Sequence, residues 1–599
     1  MNLPAWDIES EYPSLNSTGF LADQKKAEMQ MQQMTGLIQK VSQQLAHPQS
    51  DLTLELQKIL LLHSEIRVLL SNLSTYVSCL ENVDAKDEKA KAKSSEISNL
   101  KSTFAQSFKP VQIFLTTCDQ KVFDPIFQKP ELQGSLFTWQ QERTLKNQML
   151  SEKEEVLLTA LSPTGFAAWG DLYFALSGTM KVKLELNGKT EQVGLAQAAG
   201  MVRSSQESLR KAAWQGIQLA WKEQQESAAA ILNSLAGWRL EVCHKRSHTE
   251  PVDFLSTPLF QNRIQKETLT AMMTAVENNK SEIQEAALLM AKMHGKKKLD
   301  PWDLLAPAPL PHASGSTDFE VGLGQIRKAF ASAHSEFGEF VDLMEKNKWL
   351  EARVLPNKGP GAHCTGFIKS RTPRVFQTYM GSHQDISTLA HELGHAYHSW
   401  VLKDLPLDQL DYPMTLAETA SIFAETVLKD QLLATSQSRE QKLEFAWADI
   451  EGAVSLLLNI PARYEFEYNF HQKRKERALS ARELSELTDQ AWKKWYGDTI
   501  TQPDSMFWAS KMHFSFHDAS FYNFPYTFGY LFALSIYSRR KELGSDFWPK
   551  YKEILRDTGR MTAEDLILKH LGEDIRKPQF WQKSIDVVKG SIQNFKSLL

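Results

Sequence analysis

A mainly α fold is what the sequence predicts, on three observations. From about Asp23 to Phe108 apolar residues recur at helical steps, with Leu52, Ile59, Leu62, Ile66, Leu69 and Leu73 on one stripe. From Leu195 to about Met293 helical periodicity returns, and "AAGMVRSSQESLRKAAWQGIQLAWKEQQESAAAILNSLAGWRL" is rich in strong helix formers. Strand patterns, by contrast, are brief.

The elements follow in order. The first residues, "MNLPAWDIESEYPSLNS", carry acids and lack both a basic start and an apolar run, so they do not resemble a signal or transit peptide. Long antiparallel helices are expected next. The charge run "DAKDEKAKAK" from Asp84 mixes signs and predicts a solvated helix face rather than a binding tail. Between Met180 and Leu186 apolar residues alternate with Lys181, Lys183 and Glu185, and Asn187-Gly188 follows, which predicts a small hairpin. The stretch "PWDLLAPAPLPHASGS", residues 301–316, breaks the helical pattern as a linker or crossing loop would. Further on, "RVFQTYMGS" is rich in β-branched and aromatic residues from Val375 to Tyr379 and predicts a strand closed by a turn at Gly381-Ser382. No solenoid-like repeat and no long low-complexity tract is present.

Composition narrows the function. A chain of 599 residues ordinarily divides into two or more domains of ~100–200 residues. Hydrophobic residues at 42% and charged residues at 23% describe a packed, water-soluble protein. The 68 basic and 72 acidic residues leave a formal charge of −4, so no overall field favours nucleic acid or an anionic membrane surface. No apolar run approaches the ~20 residues that span a bilayer. The four cysteines, Cys79, Cys118, Cys243 and Cys364, form no C-x-x-C pair, which suits a reducing compartment and argues against a thiolate metal site. A cytoplasmic location is expected.

Chemistry concentrates in "AHELGHAYHSW", residues 390–400. A helix starting near Asp385, with Asp as its cap, carries Ile386, Leu389, Leu393, Ala396 and Trp400 on an apolar stripe. His391 and His395 then lie one turn apart on one face, where two imidazoles can bind one zinc ion, and Glu392 is placed as general base toward a water. The alternative is a half-buried helix whose histidines bond to neighbours, so a third ligand decides. The metzincin pattern would need Gly at 398 and His at 401, where the chain has His398 and Val401. His398 shares the stripe but stands ~4.5 Å further along the axis, a poor geometry for enclosing a tetrahedral ion. After the breaker at Asp411-Tyr412-Pro413, "MTLAETASIFAETVL" restarts a helix with Glu418 and Glu425 on one face. A glutamate of this helix can close the coordination, and Glu425 would hold an imidazole N–H.

These segments, with "FYNFPYTFGYLF" from Phe521 and upstream "SLRKAAWQGIQLAW", "ILNSLAGWRLEV" and "NRIQKETLTAM", resemble the oligoendopeptidase F and thimet oligopeptidase group of zinc metallopeptidases from about residue 115 to 590. The resemblance implies a multi-helix, clam-like zincin fold with a deep central channel and a small β element beside the metal-site helix. It divides the chain into an N-terminal helical region (1–114), an oligoendopeptidase F-like N-terminal domain with the hairpin (115–195) and a helical catalytic domain (196–599). It implies one zinc ion per chain on His391, His395 and Glu418, and hydrolysis of short unstructured oligopeptides by a metal-activated water with Glu392 as base. For the oxyanion it implies a histidine and tyrosines: His517 and Tyr522 have the thimet-like spacing, while His513 is a rival. Tyr526 and Tyr530 would contact substrate, and Tyr379 with its strand would pair with an extended peptide.

Two other functions stay in view. One is a zinc carboxypeptidase of similar helical build, which needs a cation for the terminal carboxylate; Arg371 and Arg374 are the candidates. The other is a non-catalytic helical peptide-binding protein, which the presence of all four motif residues disfavours.

Overall fold

The computed structural model describes residues 3–46, 51–186, 188–310 and 316–599. It is mainly α, and its strands form a two-stranded and a three-stranded sheet. Two compact units divide it, each built from three segments: Met1–Met149, Ser314–Leu432 and Gly544–Thr562 form the first, and Leu150–Ala313, Leu433–Leu543 and Ala563–Leu599 the second.

The first unit opens with α1 (Thr18–Ala46), α2 (Thr53–Val83) and α3 (Glu88–Thr117), which pack on one another. Ile59, Ile66 and Leu73 are fully buried, so the stripe read from the sequence faces the core. Helix α3 begins inside the charge run: Asp87 caps it by accepting from Lys89 N and Ala90 N, and the run's charged side chains stay largely in solvent.

In the second unit β1 (Lys181–Leu186) and β2 (Lys189–Gly194) pair antiparallel, with Leu186 opposite Lys189. Val182, Leu184 and Val193 are buried. Gly188 takes a positive φ of 74° at the turn, whereas Asn187 lies outside the described residues. Of the proline-rich stretch, residues 311–315 also lie outside the described residues.

The three-stranded sheet belongs to the first unit: β3 (Leu350–Glu351), β4 (His363–Phe367) and β5 (Thr372–Phe376) are ordered β3-β5-β4. This corrects two expectations. The strand spans 372–376 rather than 375–379, and it is central, parallel to β3 and antiparallel to β4. Beyond it Gln377 N still donates to Glu351 O (2.9 Å) and Tyr379 N to Ala352 O (3.1 Å). Val375 and Phe376 are therefore paired on both sides and offer no open edge for a peptide; the edge strands are β3 and β4. Tyr379 itself is 0% exposed, its hydroxyl donating to Thr317 O (3.2 Å) and its ring against Phe319, so it does not reach a substrate. The turn is demanding. Gly381 has φ 87°, and a Cβ there would stand 2.7 Å from Thr317 O.

Candidate metal centre and catalytic cavity

The motif helix runs His383–Val401, two residues earlier than Asp385. Its cap is Ser382, whose Oγ accepts from Asp385 N (3.1 Å) while the Asp385 carboxylate accepts from Ser382 N (2.9 Å). Asp385 thus serves as the acidic half of a capping box. Ile386, Leu389, Leu393 and Ala396 are buried, which turns His391 and His395 toward the opposite face. A second helix, Met414–Thr435, crosses at Gly394, where a Cβ would lie 2.6 Å from both Ala420 O and Ser421 Cα. Only a glycine permits that approach, and the approach brings Glu418 to the histidines.

Three donor atoms converge. His391 Nε2 and His395 Nε2 are 3.1 Å apart, and Glu418 Oε2 lies 3.3 Å from the first and 3.5 Å from the second. Donors ~2.0–2.1 Å from a tetrahedral ion are spaced about 3.3 Å from each other, so this triangle fits zinc without rearrangement. Ser421 Oγ donates to Glu418 Oε2 (2.6 Å). Glu425 Oε1 is 2.5 Å from His391 Nδ1, which presents the Nε2 lone pair to the triangle, and Ser387 Oγ donates to the other Glu425 oxygen (3.4 Å). Burial would lower His391, but Glu425, Glu418 and Glu392 outweigh it and raise the ring to about 9. At His395 burial prevails and lowers the ring to about 4. Three carboxylates around two imidazoles call for a cation.

Glu392 lines the same cavity, which measures about 450 Å³ and is walled by β4 residues His363–Gly366 and by Tyr412. It is 6% exposed, its Oε2 has no protein partner among the described residues, and the Cys364 N–H bonds to the carboxylate. Burial raises its carboxyl to about 7. His398 stands apart. It is 0% exposed, with Nε2 at 2.9 Å from Thr558 Oγ1 and 3.2 Å from Leu555 O and its ring stacked on Tyr412.

The proposed oxyanion donors lie in the second unit, on a loop before the helix Phe524–Ser538. The His513 ring is 5.0 Å from that of Tyr522 and 6.3 Å from that of Tyr526. His517 instead sits against Phe166 (6.4 Å) and Gly170, whose added Cβ would meet its Nδ1 at 3.1 Å. The loop's path depends on Phe521, in the left-handed region at φ 53°, whose N–H donates to the buried Glu467 Oε1 (2.7 Å). Phe521, Phe524 and Phe528 are core residues, and Tyr522, Tyr526 and Tyr530 are half-buried. Arg374 is 1% exposed and donates to Asp7 O, Thr372 Oγ1 and Pro373 O, so it is not available to grip a carboxylate.

Sequence reasoning missed the β4 wall, Ser421 and the Gly394 crossing. The hairpin signal "HCTGFIKSRTPRVF" was readable, since two short apolar stretches flank a polar turn. A second acidic group, Glu207, Asp300 and Asp303, already holds the Lys296 ammonium, at 2.5, 2.8 and 2.7 Å. No described helix is long and apolar enough to cross a membrane.

The sequence pattern of Peptidase family M3 matches residues 200–587, and that of Oligopeptidase F matches residues 115–181. An oligoendopeptidase F homolog from Borreliella burgdorferi is 23% identical over 80% of this chain and 80% of its own. Oligopeptidase PepF of Bacillus subtilis is 22% identical over 80% of this chain and 71% of its own. Among solved structures, a Chlamydophila abortus protein superposes with a TM-score of 0.81 at 22% identity, covering 99% of this chain and 98% of that one. Oligoendopeptidase-F from Enterococcus faecium gives 0.70 at 16% identity over 96% and 99%. These likenesses establish a shared fold.

Proposed function

The chain belongs to Peptidase family M3 and is a metallopeptidase, and from that premise we propose that it is a zinc-dependent endopeptidase of short, unstructured oligopeptides. The carrying observation is the donor triangle of His391, His395 and Glu418 at 3.1–3.5 Å, beside a buried and partly unpaired Glu392. Bound there, zinc would supply Lewis acidity, polarising the scissile carbonyl and acidifying water.

The chain's own groups do the rest. Glu392 takes a proton from the attacking water and later delivers it to the leaving amine; its burial favours a carboxyl that exchanges protons near neutral pH. Glu425 fixes the His391 ring through Nδ1 and keeps Nε2 free to bind. A peptide laid along the outer edge of β4 is held through its backbone, which accommodates many side chains. We assign the oxyanion donors to Tyr522 and His513, because His513 rather than His517 shares a ring cluster with the tyrosines. Tyr526 and Tyr530 are assigned to peptide contacts. The four free cysteines suit a reducing cytoplasm.

The test is Glu392→Gln assayed on an internally quenched peptide, with zinc measured in parallel. Hydrolysis should vanish while zinc remains, and wild-type products should show internal cuts in short peptides only. Loss of zinc in step with activity, or efficient digestion of a stable folded domain, would overturn the reading.

A further inference from the structure

Within the second unit, Arg463 and Lys511 flank the Phe507 ring, and neither has a carboxylate partner among the described residues. Arg463 Nε donates to Asn459 Oδ1 (2.8 Å) and Nη1 to Asn523 Oδ1 (3.0 Å), with His513 Nδ1 at 3.2 Å, so all its partners are neutral side chains. Lys511 has no hydrogen-bond acceptor among the described residues; its ammonium stands 5.0 Å from the centre of the Phe507 ring, the same ring that the Arg463 guanidinium overlies at 5.0 Å. The acid that acts on Lys511 is Asp504, but its oxygens are engaged by Trp214 Nε1 (3.0 Å) and Gln218 Nε2 (2.6 Å), and Arg203 adds a further positive charge. Burial consequently drags Lys511 down to about 8 and Arg463 down to about 10.

Two other cations of this unit are neutralised: Arg210 pairs with Asp303 at 2.9 Å, and Lys296 with three acids. A desolvated cation without a counter-charge is unfavourable, and an anion that enters such a site relieves that cost. The surroundings say which anion. His513 lies in the same group and adjoins Tyr522 and Tyr526, so whatever enters is at the place assigned to the peptide. The anion that an unmodified peptide carries is a carboxylate.

We propose that Arg463 and Lys511 form a receptor for a carboxylate of the peptide substrate, making the enzyme selective for peptides that carry one. The inference rests on the peptidase reading above. The carboxylate would take hydrogen bonds from the Lys511 ammonium and from Arg463 Nη2, which has no acceptor among the described residues. Its source is either the C-terminus or an Asp or Glu side chain.

Paired peptides separate these sources: one pair differs by a free or amidated C-terminus, the other by an internal Glu or Gln. Wild-type kcat/KM should favour the charged member of at least one pair by ~10-fold or more, the worth of a charge-assisted hydrogen bond. The pair that responds identifies the source. Lys511→Met should bring that ratio close to unity and leave the uncharged peptide's rate nearly unchanged, while Lys511→Arg should keep the ratio. Lys511 is the cleaner position, because Arg463 touches His513. Ratios near unity for both pairs in the wild type would overturn the proposal, and this arm needs no variant to fold. A ratio that survives in both Lys511→Met and Arg463→Gln would overturn it as well. Failure to cut any of the four peptides would instead refute the peptidase reading, so the two failures are distinguishable.

Discussion

Gly394→Ala should empty the metal centre without touching a ligand. The new Cβ would lie 2.6 Å from Ala420 O and Ser421 Cα and 2.9 Å from Ala420 C. Carbon atoms rest about 3.5–4.0 Å apart, so the two helices must separate by roughly 1 Å. Backbone atoms cannot step aside as a flexible side chain can. Glu418 and Ser421 ride on the displaced helix, and the donor triangle, now 3.1–3.5 Å on its edges, opens on the Glu418 side. Metal–ligand distances tolerate only ~0.2 Å, so zinc affinity should fall by at least ~10–100-fold, the loss seen when merely a supporting bond is removed. Overpacking should also cost about 1–3 kcal/mol of metal-free stability. Gly324 supplies the control: it lies inside the helix Phe319–Ala333 with nothing within 4 Å of an added Cβ. There the helix propensity of alanine should act alone and stabilise by up to ~1 kcal/mol. Competition with a chromophoric zinc chelator and urea melts of the metal-free proteins read both quantities. A Gly394→Ala protein with unchanged zinc affinity and the stability gain of Gly324→Ala would refute the crossing argument.

Glu418→Ala should strip or greatly weaken zinc, because two ligands are too few for a stable tetrahedral site, whereas His398→Ala should keep it; metal analysis after dialysis showing the opposite ranking would discard the donor set. Tyr522→Phe should lower kcat by on the order of 10²–10³ with little change in KM, since the oxyanion exists fully only along the reaction path. His513→Ala should follow it and His517→Ala should be mild; a near-wild-type rate for Tyr522→Phe would make that ring a packing residue. Acid should destabilise the fold through His63 and His398, both lowered by burial from 6.5 to about 3. The folded state holds them neutral while the unfolded state protonates below 6.5, so their stabilisation is complete above that pH. It falls by ~1.4 kcal/mol per unit for each ring as pH drops toward 3. Denaturant melts at stepped pH should show a shallower slope in His398→Gln, and an unchanged slope would exclude this residue.

Local periodicity made the motif helix and its ligands legible. His391 and His395 share a face because four residues make about one turn, and Glu418 and Glu425 share one because seven make about two. What periodicity could not convey was tertiary. Ser382 and Asp385 can both cap a helix, and the choice depends on the turn that Gly381 makes against Thr317. The strand through Val375 was visible, but its central place in the sheet comes from β3 and β4, and that place closes the edge a peptide would need. Spacing favoured His517 over His513 as the neighbour of Tyr522. The ring cluster forms with His513 because Glu467, 54 residues away from Phe521, holds that residue's amide and turns the loop.

Electrostatic imbalance is common to the metal centre and to the Arg463–Lys511 pair, each within its own unit. In the first, Glu392, Glu418 and Glu425 surround two imidazoles, and their excess negative charge favours a cation among them. In the second, Arg463 meets only neutral side chains and Lys511 an aromatic face, and burial lowers both without a carboxylate to offset it. A core selected for stability alone would pair such charges internally, as Arg210 and Asp303 are paired. Half-buried charge without a counter-charge is instead a capacity to bind: the first site can accept a divalent cation and the second a carboxylate. A metallopeptidase acting on a peptide that bears a free carboxylate can use both, and the residues that provide them are few: three glutamates and two histidines in one site, an arginine and a lysine in the other. That is why composition and net charge, balanced over the whole chain, gave no sign of either.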